Sequence, residues 1–177
     1  MKWATLKFDQ LSARELYLIL RARSAIFVVE ASRVHLDADG YDEGALHLFA
    51  FEDMTRAMPI LAYARIRPGD AEHQEVVMDK FLTSPSRRGD GTARALFEHV
   101  MHVIDARWPG HRVRAFVPAV QRTLCEKFGF RQVCETRAEC SEPVVAFVRG
   151  VRYGVLERIE RCCAGVDDDV AAPFGMR

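Results

Sequence analysis

The chain has 177 residues, 49% of them apolar and 28% charged, which fits one globular domain with its own core and excludes a disordered chain. Its 25 basic residues match its 25 acidic ones, so the basic excess of a nucleic-acid binder is missing and no such partner is expected. The start, Met1-Lys2-Trp3-Ala4-Thr5, has no basic-then-apolar leader, and no apolar run nears the ~20 residues that span a bilayer, so a cytoplasmic protein with no membrane partner is expected.

Lys2–Phe8 alternates as a first strand. Ser12 with Glu15 three residues on reads as a capping box. Leu16, Ile19, Leu20, Arg23, Ile26 and Phe27 then form a stripe that predicts a helix ending near Val29–Glu30. Ala31–Gly44, polar and rich in Asp, is a loop. Leu46–Glu52 and Pro59–Arg67 are predicted strands joined by a turn at Asp53–Ala57, with Leu61, Tyr63 and Arg65 on one face of the second. Pro68-Gly69-Asp70 turns the chain into a longer strand, Gln74–Ser84. After the loop Pro85–Gly91, the residues Ala93, Leu96, Val100, Val103, Ile104 and Arg107 share one face of a helix over Thr92–Arg107, and Trp108-Pro109-Gly110 stops it. His111–Pro118 is a strand, Ala119–Phe128 a short helix closed by Gly129, and Phe130–Glu135 with Val144–Arg149 a last hairpin. Val151, Val155 and Ile159 form a thin helical stripe, and Ala164–Arg177 reads as frayed. The order predicts an α/β (α+β) domain over residues 1–150, one mixed sheet with helices around it, followed by a helical extension and tail over 151–177. A homodimer through the thin stripe stands beside packing of that stripe on its own domain. The five cysteines are scattered and form no CxxC pair, which points to reduced thiols and no metal site.

The chemistry is concentrated between Gln74–Ser84 and the helix that follows. A glycine-bearing loop leading into a helix leaves backbone N–H groups without partners. The helix dipole adds partial positive charge there, a setting that suits phosphate oxygens. Gly89 and Gly91 permit positive φ, and Arg87 or Arg88 can add a charge-assisted contact. Asp90 opposes an anion unless it points away.

Arg88-Gly89-Asp90-Gly91-Thr92-Ala93 resembles the R/Q-x-x-G-x-G/A pyrophosphate loop of the GNAT N-acetyltransferases. Phe81-Leu82-Thr83-Ser84-Pro85 resembles the end of that family's fourth strand, Ala95-Leu96-Phe97 the start of its central helix, and Leu124-Cys125-Glu126-Lys127-Phe128-Gly129-Phe130 its LYEKxGF segment. Leu20-Arg21-Ala22-Arg23-Ser24-Ala25-Ile26-Phe27-Val28-Val29-Glu30 is similar to the LRxxVFVVEQ segment of the small ElaA-like members, as are Asp37-Ala38-Asp39-Gly40, His47-Leu48 and Ala62-Tyr63-Ala64-Arg65-Ile66. The resemblance spans about residues 2–150. It implies the GNAT acyl-CoA N-acyltransferase fold, with six or seven strands, and an N-acetyltransferase using acetyl-CoA as cosubstrate and a small-molecule or peptide amine as acceptor. It also implies a donor site at Leu82, Thr83, Arg87, Arg88, Gly89, Asp90, Gly91, Thr92 and Ala93, and an acceptor side at Arg23, Phe27, Glu30, Asp37 and Asp39.

Direct transfer needs a base for the ammonium and an acid for the departing thiolate. Cys125 stands where the family places its tyrosine acid, and it reads either as that acid or as a small packed residue. Glu30, Asp37, Asp39, His47, Glu75 and Asp79 are candidate bases, with His47 and Glu75 carried forward. Asp37, Asp39, Asp42 and Glu43 form either an acidic attractor for a cationic amine or a solvated loop. The Cys125 departure leaves open a weakly catalytic acyl-CoA-binding module, and the Arg-x-x-x-Phe helix with its acidic loop leaves open a resemblance to acyl-homoserine-lactone-synthase-like acyltransferases.

Overall fold

In the computed structural model, which describes residues 1–32, 34–52, 59–69, 74–135 and 144–150, the strands are β1 (Lys2–Lys7), β2 (Leu46–Phe51), β3 (Ile60–Arg67), β4 (Val76–Thr83), β5 (Val113–Pro118), β6 (Arg131–Glu135) and β7 (Val144–Arg149). The α-helices are α1 (Ala13–Arg23), α2 (Thr92–Arg107) and α3 (Arg122–Lys127). The predicted turn at Asp53–Ala57, residue Asp70 and the extension from Val151 onward lie outside the described residues.

The seven strands make one sheet in the order β1-β2-β3-β4-β5-β7-β6. Neighbours are antiparallel except β4 and β5, which run parallel because α2 crosses between them. Ser12 caps α1 as its sequence suggests: its hydroxyl accepts from the Glu15 N–H, and Glu15 accepts from the Ser12 N–H at 2.9 Å.

Each face of the sheet is covered by one long helix. Leu96, Phe97, Val100 and Ile104 of α2 pack with Leu46, Leu48, Ala62, Ala64 and Ile66. Leu18, Ile19 and Ala22 of α1 pack on the opposite side with Phe49, Ile60, Tyr63 and Leu82. Strands β2 and β3 are thus buried on both faces, and their runs LHLFAF and ILAYARIR show little polar alternation for that reason. Each fully buried Leu, Ile or Phe there contributes about 1.5–3 kcal/mol.

Two local irregularities depart from the predicted pattern. The register between β2 and β3 shifts at Ala50/Phe51, so that Leu61 is bulged between Ile60 and Ala62. Leu61 therefore joins the core under α2, away from Tyr63, which packs under α1. The first helix does not continue as α-helix to Glu30. It becomes a π-helix over Ser24–Glu30, closed by an Ala31 N–H to Ile26 carbonyl bond of 3.1 Å. The widened turn re-aims Ile26, Phe27 and Glu30, and all three line the cleft described next.

A third irregularity opens the sheet. β4 pairs with β5 only at Val76–Met78 with Val113–Ala115. On its other edge, β4 sets Lys80 and Phe81 against the single residue Ala64 of β3. Lys80 takes φ 51°, the left-handed region that a side-chain-bearing residue enters at a cost of about 1 kcal/mol. Beyond this bulge β4 and β5 part. Among the described residues no helix is long and apolar enough to cross a membrane.

Candidate active site

Where β4 and β5 separate, a cleft of about 970 Å³ runs into the sheet. Phe81, Leu82 and Thr83 form one wall, Phe116 and Pro118 the other. The π-helix covers it with Ile26, Phe27 and Glu30, and Arg88, Gly89 and Ala93 close one end. The edge of β4 past Met78 has no β5 partner, so its backbone is available to a ligand that carries amides. Thr83 Oγ1 is buried here and has no hydrogen-bond partner.

The loop at the closed end has the geometry an anion site needs. Gly89 and Gly91 take φ of 83° and 91°, and Gly91 is the residue from which α2 starts. Of the first-turn amides, Asp90 Oδ1 accepts that of Thr92 at 2.9 Å, while the Ala95 N–H bonds to the Gly91 carbonyl. The hydrogen bonds from Thr92 also hold the Asp90 carboxyl below its usual range. Arg88 reaches across the cleft to Glu30 through two contacts, of 2.7 and 2.9 Å, and these lower the Glu30 pKa. Arg87 pairs with Glu52 and more loosely with Asp90, and does not line the cleft.

Beneath the π-helix lies a network of ion pairs. Arg23 holds Asp37 at 2.8 Å and Asp42 at 2.6 Å. Arg65 forks to Asp39 with contacts of 2.6 and 2.8 Å, to Asp79 with 2.7 and 3.0 Å, and touches Asp42 at 3.0 Å. Arg67 meets Asp79 at 3.0 Å, and Lys80 meets Asp37 at 2.8 Å. Burial works against the charges on Asp39 and Asp42, but the guanidinium bonds win and both pKa values fall. Burial likewise opposes the charge on Arg65, and the Asp39 and Asp79 bonds overcome it and push its pKa up. Four cations thus face four carboxylates. Asp37, Asp39 and Asp42 of the acidic loop are internal counter-ions for Arg23, Arg65 and Lys80, while Glu43 is exposed.

No family model matches the chain. ElaA of Escherichia coli strain K12 is 28% identical over 153 residues, covering 85% of this chain and 97% of that protein. The crystal structure of Escherichia coli ElaA superposes with a TM-score of 0.75 at 27% identity, over 84% of this chain and 99% of ElaA. A crystal structure of an acyl-CoA N-acyltransferase from Pseudomonas aeruginosa gives the same TM-score, identity and coverage. The chain has the GNAT acyl-CoA N-acyltransferase fold and is similar to ElaA. A third structure, a predicted acetyltransferase from Clostridium acetobutylicum with acetyl-CoA, shares the GNAT fold at a TM-score of 0.56 and 16% identity, over 77% of this chain and 93% of that one.

The residues singled out by sequence do not all meet in the cleft. Phe27, Glu30, Asp39, Leu82, Thr83, Arg88, Gly89 and Ala93 line the cleft. Asp90, Gly91 and Thr92 build the loop behind its end. Arg23 and Asp37 do not face an acceptor: Arg23 is fully buried and Asp37 nearly so, each satisfied by the ion network. Lys80 and His35 line the cleft and were not singled out by sequence. Lys80 carries no motif, and His35 is a single imidazole in an irregular loop.

Cys125 is not the acid. It is fully buried among Phe130, Val117 and the α2 side of the core, does not line the cleft, and burial pushes its thiol up to about 12. Cys125→Ala is expected to cost about 1 kcal/mol of stability, from the small void it leaves, and to keep turnover within about threefold of wild type; unfolding curves and a thiol-release assay read the two effects separately. Glu75 is not a base in the cleft either, since it pairs with Arg114 at 2.6 Å and Arg112 at 3.4 Å beside the closed part of the β4–β5 ladder.

His47 is likewise structural. It is fully buried; its Nε2–H donates to the Asp42 carbonyl at 3.0 Å, and its Nδ1 accepts from the Tyr63 hydroxyl at 2.9 Å. Burial lowers its pKa and keeps the ring neutral, while burial raises that of Tyr63. Because the folded value lies below the unfolded one, the unfolded chain binds this proton first. Stability is therefore expected to fall as pH drops below about 6.5, by at most about 1.4 kcal/mol per pH unit. Release of the Asp39 and Asp42 pairs adds a second loss below about pH 4. Urea unfolding of wild type and His47→Gln between pH 7.5 and 5 checks the first step, which the variant should lack.

Proposed function

We propose that the chain is an N-acetyltransferase, moving an acetyl group from acetyl-CoA to a primary amine of a small molecule or peptide in the cytoplasm. The observation that carries this reading is the cleft between the parted strands β4 and β5, which ends on the glycine loop at the start of α2. The cleft fits a long donor with two chemistries. Its closed end offers Arg88 and first-turn amides to a pyrophosphate, and its wall offers an unpaired strand edge and the partnerless Thr83 hydroxyl to the amides of a pantetheine arm. Acetyl-CoA supplies an activated thioester; the chain's part is to hold, orient and dehydrate it, with Phe81, Leu82 and Phe116 excluding water.

The Glu30–Arg88 pair spans the mouth of that end, so Arg88 exchanges a carboxylate for the pyrophosphate when the donor enters. Cys125 being buried, the leaving thiolate takes its proton from the attacking nitrogen or from water. The test is direct. The protein is incubated with acetyl-CoA and each of spermidine, glycylglycine and a lysine-containing peptide, and products are read by mass. A gain of one acetyl group on any of them, with equimolar free CoA, supports the reading. Absence of transfer to all three, together with no binding of acetyl-CoA, sinks it.

A further inference from the structure

We infer that His35 is the general base that takes the proton from the acceptor ammonium, an inference that rests on the acetyl-transfer reading above. The other titratable side chains of the cleft are committed. Glu30 is held through two contacts by Arg88, Asp39 by the fork of Arg65, Asp79 by Arg65 and Arg67, and Lys80 by Asp37. His35 lines the same cleft with its side chain 37% exposed, and its Nε2 lies 3.9 Å from Asp37 Oδ1, too far for a hydrogen bond and near enough for attraction. Its ring nitrogens are thus available to an incoming ammonium, and imidazole is the side chain whose ordinary titration reaches neutral pH.

Asp37 sits between His35 and β4. The same Oδ1 receives Lys80 Nζ at 2.8 Å, and Lys80 is the left-handed residue at the β4 bulge, directly before the Phe81–Thr83 wall. His35 therefore stands one carboxylate away from the Phe81–Thr83 wall of the cleft. The other charges around the ring are Lys80 and Arg23 on that carboxylate, Asp39 at 3.6 Å from Lys80, Arg65 with Asp79 on the cleft floor, and Glu30 with Arg88 on the covering helix side. With Asp37 they make four cations and four carboxylates, and Asp37 is the one that approaches the ring, at 3.9 Å.

The step balances as follows. The ammonium loses one proton to His35, and the free nitrogen lone pair forms the C–N bond to the acetyl carbon. The C–S bond breaks, the thiolate takes the second nitrogen proton, and His35 returns the first to water.

The experiment uses the full chain, His35→Gln and His35→Ala, acetyl-CoA, and the best acceptor among spermidine, glycylglycine and the lysine-containing peptide. His35→Gln is expected to keep the acetyl-CoA thermal shift of wild type and to lose roughly 100-fold or more in kcat/KM. Its pH profile should lose the limb near neutrality and rise only as the amine itself deprotonates. Added imidazole should restore part of the His35→Ala rate, which a packing role would not permit. Activity of His35→Gln within threefold of wild type, with the neutral limb kept, overturns the base and leaves acetyl transfer standing. A wild type that neither binds acetyl-CoA nor acetylates any of the three amines overturns both.

Discussion

Arg65→Met lowers stability by about 3–5 kcal/mol, which for a chain of this size moves the unfolding midpoint down by roughly 6–20 °C. Arg65 is almost wholly buried in the centre of the sheet, and its guanidinium joins three carboxylates that come from two different parts of the chain. Methionine fills a similar volume, so the loss is charge and not packing. It leaves Asp39 with the Tyr41 N–H at 3.2 Å and the 3.6 Å contact to Lys80, Asp79 with Arg67, and Asp42 with Arg23. Four cations against four carboxylates become three against four in a partly desolvated space. Arg65→Lys restores the charge but has no planar fork to hold Asp39 and Asp79 together, so it should recover less than half of the loss. Chemical unfolding of the three proteins measures this. A midpoint for Arg65→Met within about 2 °C of wild type would show that desolvation cancels the pairing and that the network adds no net stability.

Ala93→Glu abolishes stabilisation by acetyl-CoA. Wild type at roughly 100 times the dissociation constant should gain about 2.7 kcal/mol, a midpoint rise of about 5–10 °C. Ala93 lies in the first turn of α2 and lines the closed end of the cleft. A glutamate in a first helical turn favours the helix by about 0.3–1 kcal/mol, so the fold itself is expected to hold. The same carboxylate stands where the pyrophosphate must bind and repels it. Ala93→Gln adds the same bulk without charge and should keep part of the shift, which separates crowding from repulsion. A full wild-type shift in Ala93→Glu would remove the donor from this loop.

Both predictions rest on features that differ in how visible they were beforehand. The glycine loop, its flanking strand and the helix after it were readable because they are consecutive in sequence and their chemistry is local. The capping box at Ser12 and Glu15 was readable for the same reason. Nothing in VVMDKFLT announces that Lys80 takes a positive φ or that β4 parts from β5 beyond it.

What the sequence determined by itself is the set of elements and the phosphate-type loop: capping, hydrophobic period and glycine placement act over a few residues, and the backbone obeys them directly. Only the tertiary structure decided the roles of the charged and titratable side chains. Arg23 and Asp37 are 14 residues apart, Arg65 and Asp39 are 26, and Lys80 and Asp37 are 43. Sheet pairing brings them together, and burial then makes their pairing compulsory. The same burial removed His47 and Cys125 from the chemistry by placing them in the core, and left His35, unremarkable in sequence, in the cleft. Solvent exposure, which decides whether an ionisable group can act, is a property of the packed molecule and has no period or motif in the chain.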